Sequence, residues 1–144
     1  MKNLSIYLIF NGNCEEAFNF YKDVFDGEII SLSRYKDNPF TENSHSFDEK
    51  ESEKILHIAL KFKNGFILMG SDANNVSGYA EFGNNFAISV TTEDSCQTEK
   101  IFNSISEGGK IFMPLGKTFW GDYFGRCTDK FGINWMISNP IVKS

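Results

Sequence analysis

The chain has 144 residues, a formal net charge of −5, 41% hydrophobic and 23% charged residues, the composition of one ordinary folded domain or two small modules sharing a core. That acidic balance excludes a nucleic-acid backbone or an anionic membrane as the main partner, and no apolar run approaches the roughly 18–20 residues of a membrane span. The start has no signal-type apolar region with a cleavage site, and Cys14, Cys96 and Cys127 form no CxxC pair, so a cytoplasmic protein with reduced thiols is expected.

Ser5–Phe10 (SIYLIF) reads as a strand of β-branched and aromatic residues. Asn13 followed by Glu16 predicts a capping box, and Ala17, Phe18, Phe20, Tyr21, Val24 and Phe25 form an apolar stripe at helical spacing. Asp26-Gly27 ends that helix, with the glycine assigned to the left-handed C-terminal position. Glu28–Tyr35 reads as a strand, and Lys36–Lys54 as a long polar loop. Ile55–Phe62 and Phe66–Gly70 are then two strands joined at Lys63-Asn64-Gly65, a hairpin signal.

The second half repeats the order. Asn85–Thr91 is a predicted strand, Asp94–Glu107 a helix with Ile101, Phe102 and Ile105 inward, and Lys110–Met113 a short strand. The chain closes on an aromatic-rich hairpin, TFWGDYFGRCTDKFGINWMIS. A shift of 82 carries Cys14 onto Cys96, Phe20 onto Phe102 and Gly27 onto Gly109; a shift of 67 carries Gly65 onto Gly132, Met69 onto Met136 and Ser71 onto Ser138. The reading is α+β, two βαβββ modules at 1–72 and 84–144 with a linker at 73–83, forming one compact domain.

The stretches YLIFNGNCEEAFNFYKDVFDGEI, GFILMGSD and EGGKIFMPLGKTFWGDYFGRCTDKFGINWMI resemble the PhnB-like branch of the vicinal-oxygen-chelate superfamily. That superfamily includes glyoxalase I, bleomycin-resistance proteins and extradiol dioxygenases, and PhnB-like members have carried the label 3-demethylubiquinone methyltransferase-like. The resemblance implies a glyoxalase/bleomycin-resistance-like fold, in which a curved mixed sheet surrounds a cleft with the helices outside, and a homodimer. Metal-dependent relatives place His or Glu at four inward-facing strand positions. Here these positions align with Ile6 (Tyr7 or Ser5 if the register is off by one), Met69, Asn85 and Met136, none a strong ligand for an oxygen-seeking divalent ion. No classical metal site and no cofactor are therefore expected.

The remaining candidates come from strand alternation. His45 falls in the polar loop; His57, Ala59 and Lys61 face the cleft or solvent if Ile58, Leu60 and Phe62 face the helix. In the closing strand, Phe124, Arg126 and Thr128 share one face and Tyr123, Gly125 and Cys127 the other. If Cys127 packs under the helix, Arg126 points to the concave side, where its guanidinium suits a carboxylate or phosphonate. The alternative is a salt bridge to Asp122 or Asp129. Phe119, Trp120 and Phe124 would add apolar contact, or, for Phe119 above all, core between the modules. Cys14 and Cys96 lie in first helical turns, where the dipole lowers a thiol pKa somewhat, but with no histidine beside either the reading is a small buried or semi-exposed thiol.

No nucleophile elbow, Walker loop or dinucleotide fingerprint is present. The expected function is binding of a small organic molecule, an anion among the candidates, by His57, Lys61, Met69, Asn85, Trp120, Phe124, Arg126 and Met136. The alternative is a divergent lyase-, isomerase- or dioxygenase-type enzyme using His57 and Arg126 or an unrecognised metal site.

Overall fold

The computed structural model describes residues 1–38, 49–75 and 78–141. The chain divides into two compact units, Met1–Glu81 and Phe82–Ser144. The first runs β1 (Ile6–Phe10), α1 (Cys14–Phe25), β2 (Glu28–Arg34), a 3-10 turn at Tyr35–Asp37, a one-turn helix α2 (Glu49–Ser52), β3 (Ile55–Lys61) and β4 (Ile67–Asp72). The second runs β5 (Ile88–Thr91), α3 (Ser95–Ile105), β6 (Lys110–Lys117), β7 (Asp122–Thr128) and β8 (Asn134–Pro140). Their sheets have the same strand order, β1-β4-β3-β2 and β5-β8-β7-β6, with the first strand parallel to the last and the rest antiparallel. Two βαβββ modules of the expected mixed-sheet kind are therefore present.

In each unit the helix covers one face of the sheet. Leu8, Phe10, Ile58, Leu60 and Leu68 are buried together with Ala17, Phe18 and Tyr21 of α1. Phe18 meets Phe10 edge-on at 6.2 Å and lies over Gly70, where an added Cβ would stand 2.7 Å from its ring. In the second unit Phe102 of α3 presses on Gly125 in the same manner, a Cβ there falling 2.6 Å from the ring. Glycine at these two strand positions is what lets a helical phenylalanine reach the backbone of the sheet. Phe62 meets Phe25 of α1 at 5.4 Å, the helix-ward direction that alternation assigned to it.

The ends of α1 differ from the sequence reading. Asn13 makes no side-chain cap hydrogen bond. Asp72, at the end of β4, takes over: one carboxylate oxygen accepts from the Gly12 and Cys14 amides at 2.9 and 3.0 Å, the other from the Ile55 amide at 2.9 Å. A carboxylate at a helix N-terminus also meets the positive end of the helix dipole, which a neutral asparagine does less well. At the other end Asp26, not Gly27, adopts the left-handed conformation, with φ 53°. Aspartate tolerates this region better than most residues. Gly27 is instead hemmed in, an added Cβ meeting the Leu60 side chain and the Lys61 carbonyl at 3.0 Å each. Asp94 caps α3 by its own side chain, accepting from the Gln97 amide at 2.8 Å.

Only part of the polar stretch between β2 and β3 is described. Its base is tied by Arg34, which donates to both Glu15 oxygens at 3.2 and 2.8 Å and to the Glu53 carbonyl at 2.9 Å. Lys36 pairs with Glu53, and the hydrogen bond to Glu15 holds the Arg34 guanidinium pKa above its ordinary value. His45 lies outside the described residues.

The glycines give a direct stability test. Gly125→Ala should cost about 1–3 kcal/mol through overpacking against Phe102 and Leu115. Gly116→Ala, whose Cβ would meet nothing closer than the Pro114 carbonyl at 3.9 Å, should stay within about 0.5 kcal/mol of wild type in urea unfolding.

Candidate functional site: the uncovered sheet faces

Register fixes which side chains leave the helix-covered faces. Gly125 and Cys127 are buried, with Gly125 lying under Phe102, so Phe124, Arg126 and Thr128 point to the opposite, uncovered face of the second sheet. Across it Arg126 stands between Met113 of β6 and Met136 of β8, with Ser89 of β5 beyond Met136. The neighbouring row is Gly116, Phe124, Ser138 and Thr91. Pairing irregularities on both sides of Met113 mark the β6 edge next to Arg126, the kind of feature that re-aims a side chain.

Arg126 is partly buried, and among the described residues it has no ion-pair partner. The acids proposed for it from sequence are engaged elsewhere. Asp122 accepts from the Trp120 indole N–H at 2.8 Å. Asp129 is 3% exposed and accepts from the amides of Phe131 and Ile133 and from the Trp135 indole, at 2.8, 3.1 and 2.8 Å. It builds the β7–β8 turn from inside. The chain's other arginine, Arg34, is saturated by Glu15 and Glu53.

Trp120 sits in the β6–β7 turn with its ring 6.0 Å from Phe124 at 69°. Phe119 is 97% exposed, against the sequence reading that leaned to core; at a hairpin tip there is no opposing layer within its unit to bury it. It touches Trp120 edge-on at 5.0 Å.

In the first unit the corresponding row is Tyr7, Met69, Ala59 and Ser31. Ile6 pairs with Leu68, and so belongs to the helix-ward rows; it is Tyr7 that stands beside Met69. Asn85 likewise precedes β5 and is exposed, and Ser89 is the residue beside Met136. By register the residues standing beside the two methionines are therefore Tyr7 and Ser89, and Ile6 and Asn85 do not share those rows. Among the described residues no three His, Cys, Asp or Glu side chains converge as a metal ion needs. His57 shares the uncovered face with Tyr7, its Nδ1 3.4 Å from the phenolic oxygen. Lys61 lies at the exposed end of β3, between Glu28 and Ile67.

Neither buried thiol, Cys14 of α1 or Cys127 of β7, is activated. Burial, with the nearby Asp72 and Glu15 charges, pushes the Cys14 thiol pKa well above its ordinary value, overriding the dipole effect expected from sequence. Burial and Asp129 push Cys127 up to about 12.

Two four-stranded mixed sheets, each built as βαβββ, define the glyoxalase/bleomycin-resistance class of fold. The chain is similar, at 8% identity over 97% of its length and 98% of the other chain, to a glyoxylase/bleomycin resistance protein/dioxygenase domain from Frankia sp. EAN1pec, with TM-score 0.68. Within that class, residues 2–138 match the family model described as 3-demethylubiquinone-9 3-methyltransferase, and the chain belongs to this PhnB-like family. It is 31% identical to protein YjdN of Escherichia coli K12 over 94% of this chain and 93% of that one. Among solved structures it is similar to protein PA1353 of Pseudomonas aeruginosa (TM-score 0.80, 35% identity, 96% and 98% covered). It is also similar to a PhnB protein from Bacillus cereus titled a putative 3-demethylubiquinone-9 3-methyltransferase (TM-score 0.74, 28% identity, 96% and 99% covered). No helix among the described residues is long and apolar enough to cross a membrane.

A thiol reagent at pH 8 should modify one cysteine per native chain, the exposed Cys96. The raised pKa values keep Cys14 and Cys127 protonated until the pH approaches those values, so rapid labelling of all three in folded protein would contradict this burial.

Proposed function

We propose that this chain is a metal-independent member of its family that binds a small organic molecule on the uncovered face of its second sheet. The observation that carries the reading is Arg126: a partly buried cation with no ion-pair partner among the described residues, set between Met113 and Met136 and beside Phe124. An apolar surface with a few oriented polar groups is the usual make-up of an organic-ligand site, and a planar guanidinium is a fixed donor pair for an acidic group.

Metal chemistry of the superfamily type fits these residues poorly. A phenol, a hydroxyl and two thioethers at Tyr7, Ser89, Met69 and Met136 are a weak set for a hard divalent ion, which prefers carboxylate or imidazole. The methyltransferase label in the family description is not supported by the fold either. Neither sheet is the parallel, doubly wound kind that presents a glycine-rich turn to a nucleotide-like cofactor.

A second reading, a divergent lyase-, isomerase- or dioxygenase-type enzyme, draws on the Tyr7–His57 pair, since a phenol next to an imidazole can relay a proton. It has no assigned substrate contact, and the binding reading needs none of it.

The test is titration with a neutral apolar reporter, N-phenyl-1-naphthylamine, followed by fluorescence, together with elemental analysis of the purified protein. Saturable binding at one site per chain is expected, weakened at least tenfold by Phe124→Ala and unchanged by His57→Gln, with no stoichiometric metal. Binding that ignores Phe124→Ala, or stoichiometric divalent metal whose removal abolishes a reaction, would overturn the reading.

A further inference from the structure

We infer that the Arg126 face selects a small aromatic carboxylate, its acid group on the guanidinium and its ring in the open space over Phe124. This rests on the proposed binding role and narrows it to a chemical class. Phe124 and Arg126 are two residues apart on β7 and point the same way, which separates their Cβ atoms by about 7 Å along the strand. Phe124 is flanked across the sheet by Gly116 on one side and Ser138 on the other. Both are small. At Gly116 an added Cβ would meet nothing nearer than the Pro114 carbonyl at 3.9 Å, so the β6 neighbour of Phe124 carries no side chain and its Cβ direction is open. The register neighbours of Arg126 are by contrast two long thioether side chains, Met113 and Met136. The row at Phe124 thus has room for a ring, and the row at Arg126 has a charge and thioethers, which contact aromatic groups favourably.

Charge sets the orientation. Asp122 lies on the same strand face, two residues beyond Phe124 and away from Arg126, and holds the Trp120 indole through the 2.8 Å hydrogen bond. A carboxylate is drawn to Arg126 and repelled from Asp122, so the ligand ring points along β7 toward Trp120. The indole stands across the Phe124 ring at 69° and 6.0 Å, closing that end with an aromatic wall. A small aliphatic acid would satisfy the guanidinium and leave the Phe124 space empty; a neutral aromatic would do the reverse.

The test is calorimetric titration of the intact chain with benzoate, benzamide and cyclohexanecarboxylate, on wild type, Arg126→Gln and Gly116→Leu. Gly116 carries no left-handed φ and its Cβ direction is open, so the leucine variant fills the space without backbone strain. Benzoate should bind wild type at least tenfold more tightly than either analogue. Arg126→Gln should remove that advantage over benzamide, and Gly116→Leu should weaken benzoate and benzamide alike by tenfold or more. Circular dichroism and urea unfolding confirm that each variant is folded, and Arg126→Lys should recover part of the benzoate affinity if a variant proves unstable. Equal affinity for benzoate and benzamide, or indifference to Gly116→Leu in folded protein, overturns the aromatic-carboxylate assignment. If the neutral reporter still binds through Phe124, the proposed binding role stands while this assignment falls; if neither the reporter nor benzoate binds, both fall.

Discussion

The first unit is organised around the Asp72 carboxylate, 2% exposed and accepting the amides of Gly12, Cys14 and Ile55. Those amides belong to the entry into α1 and the start of β3, while the carboxylate sits at the end of β4. Three segments far apart in sequence are thereby fixed to one point, and the Tyr35 hydroxyl adds a fourth by donating to the Asp72 carbonyl at 2.7 Å. A buried carboxylate is tolerated only when its oxygens are satisfied in this way. Losing it would strand several buried donors, each costing about 1–3 kcal/mol. Burial foremost, and then this same charge, raises the Cys14 thiol pKa, so the carboxylate that completes the helix start also helps to silence the nearest nucleophile.

The second unit meets the same geometric demand with different chemistry. Asn139 occupies the place equivalent to Asp72 under the 67-residue shift, and it accepts from the Thr98 hydroxyl at 2.6 Å. Because Asp94 caps α3 locally, no distant charge is needed there. The buried carboxylate of this unit is Asp129, inside the β7–β8 turn, tied to Trp135. With Asp129 committed to the turn and Asp122 to Trp120, neither acid closest to Arg126 in the closing hairpin pairs with it. The internal bonding of the hairpin thus leaves the cation without an ion-pair partner among the described residues.

How much of this the sequence carried depends on whether the signal is local. Strand alternation placed Arg126, Phe124 and Thr128 on one face and Cys127 on the other, because a period of two needs only the strand itself. The duplication was legible because shifts of 82 and 67 match whole elements. The Asp72 network was not: its partners lie 58 and 60 residues away, or 17 in the case of Ile55, and a local capping box at Asn13 looked sufficient. That Tyr7 and Ser89, not Ile6 and Asn85, stand beside the two methionines was not legible, because register is a property of a pair of strands. Carrying Tyr7 forward by 82 gives Ser89, so the repeat held the correct pairing once Tyr7 was chosen. Phe119 shows the limit of composition, since an aromatic at a turn tip has no layer within its unit to enter.

The proposed role requires the Arg126 face to be a ligand site and not merely solvated sheet. A crystal structure grown in the presence of benzoate tests it most directly. Density is expected for the carboxylate against the Arg126 guanidinium, with the ring over Phe124 beside Gly116. Arg126 turned onto a carboxylate of the protein, with benzoate absent from the Phe124 space, would contradict it.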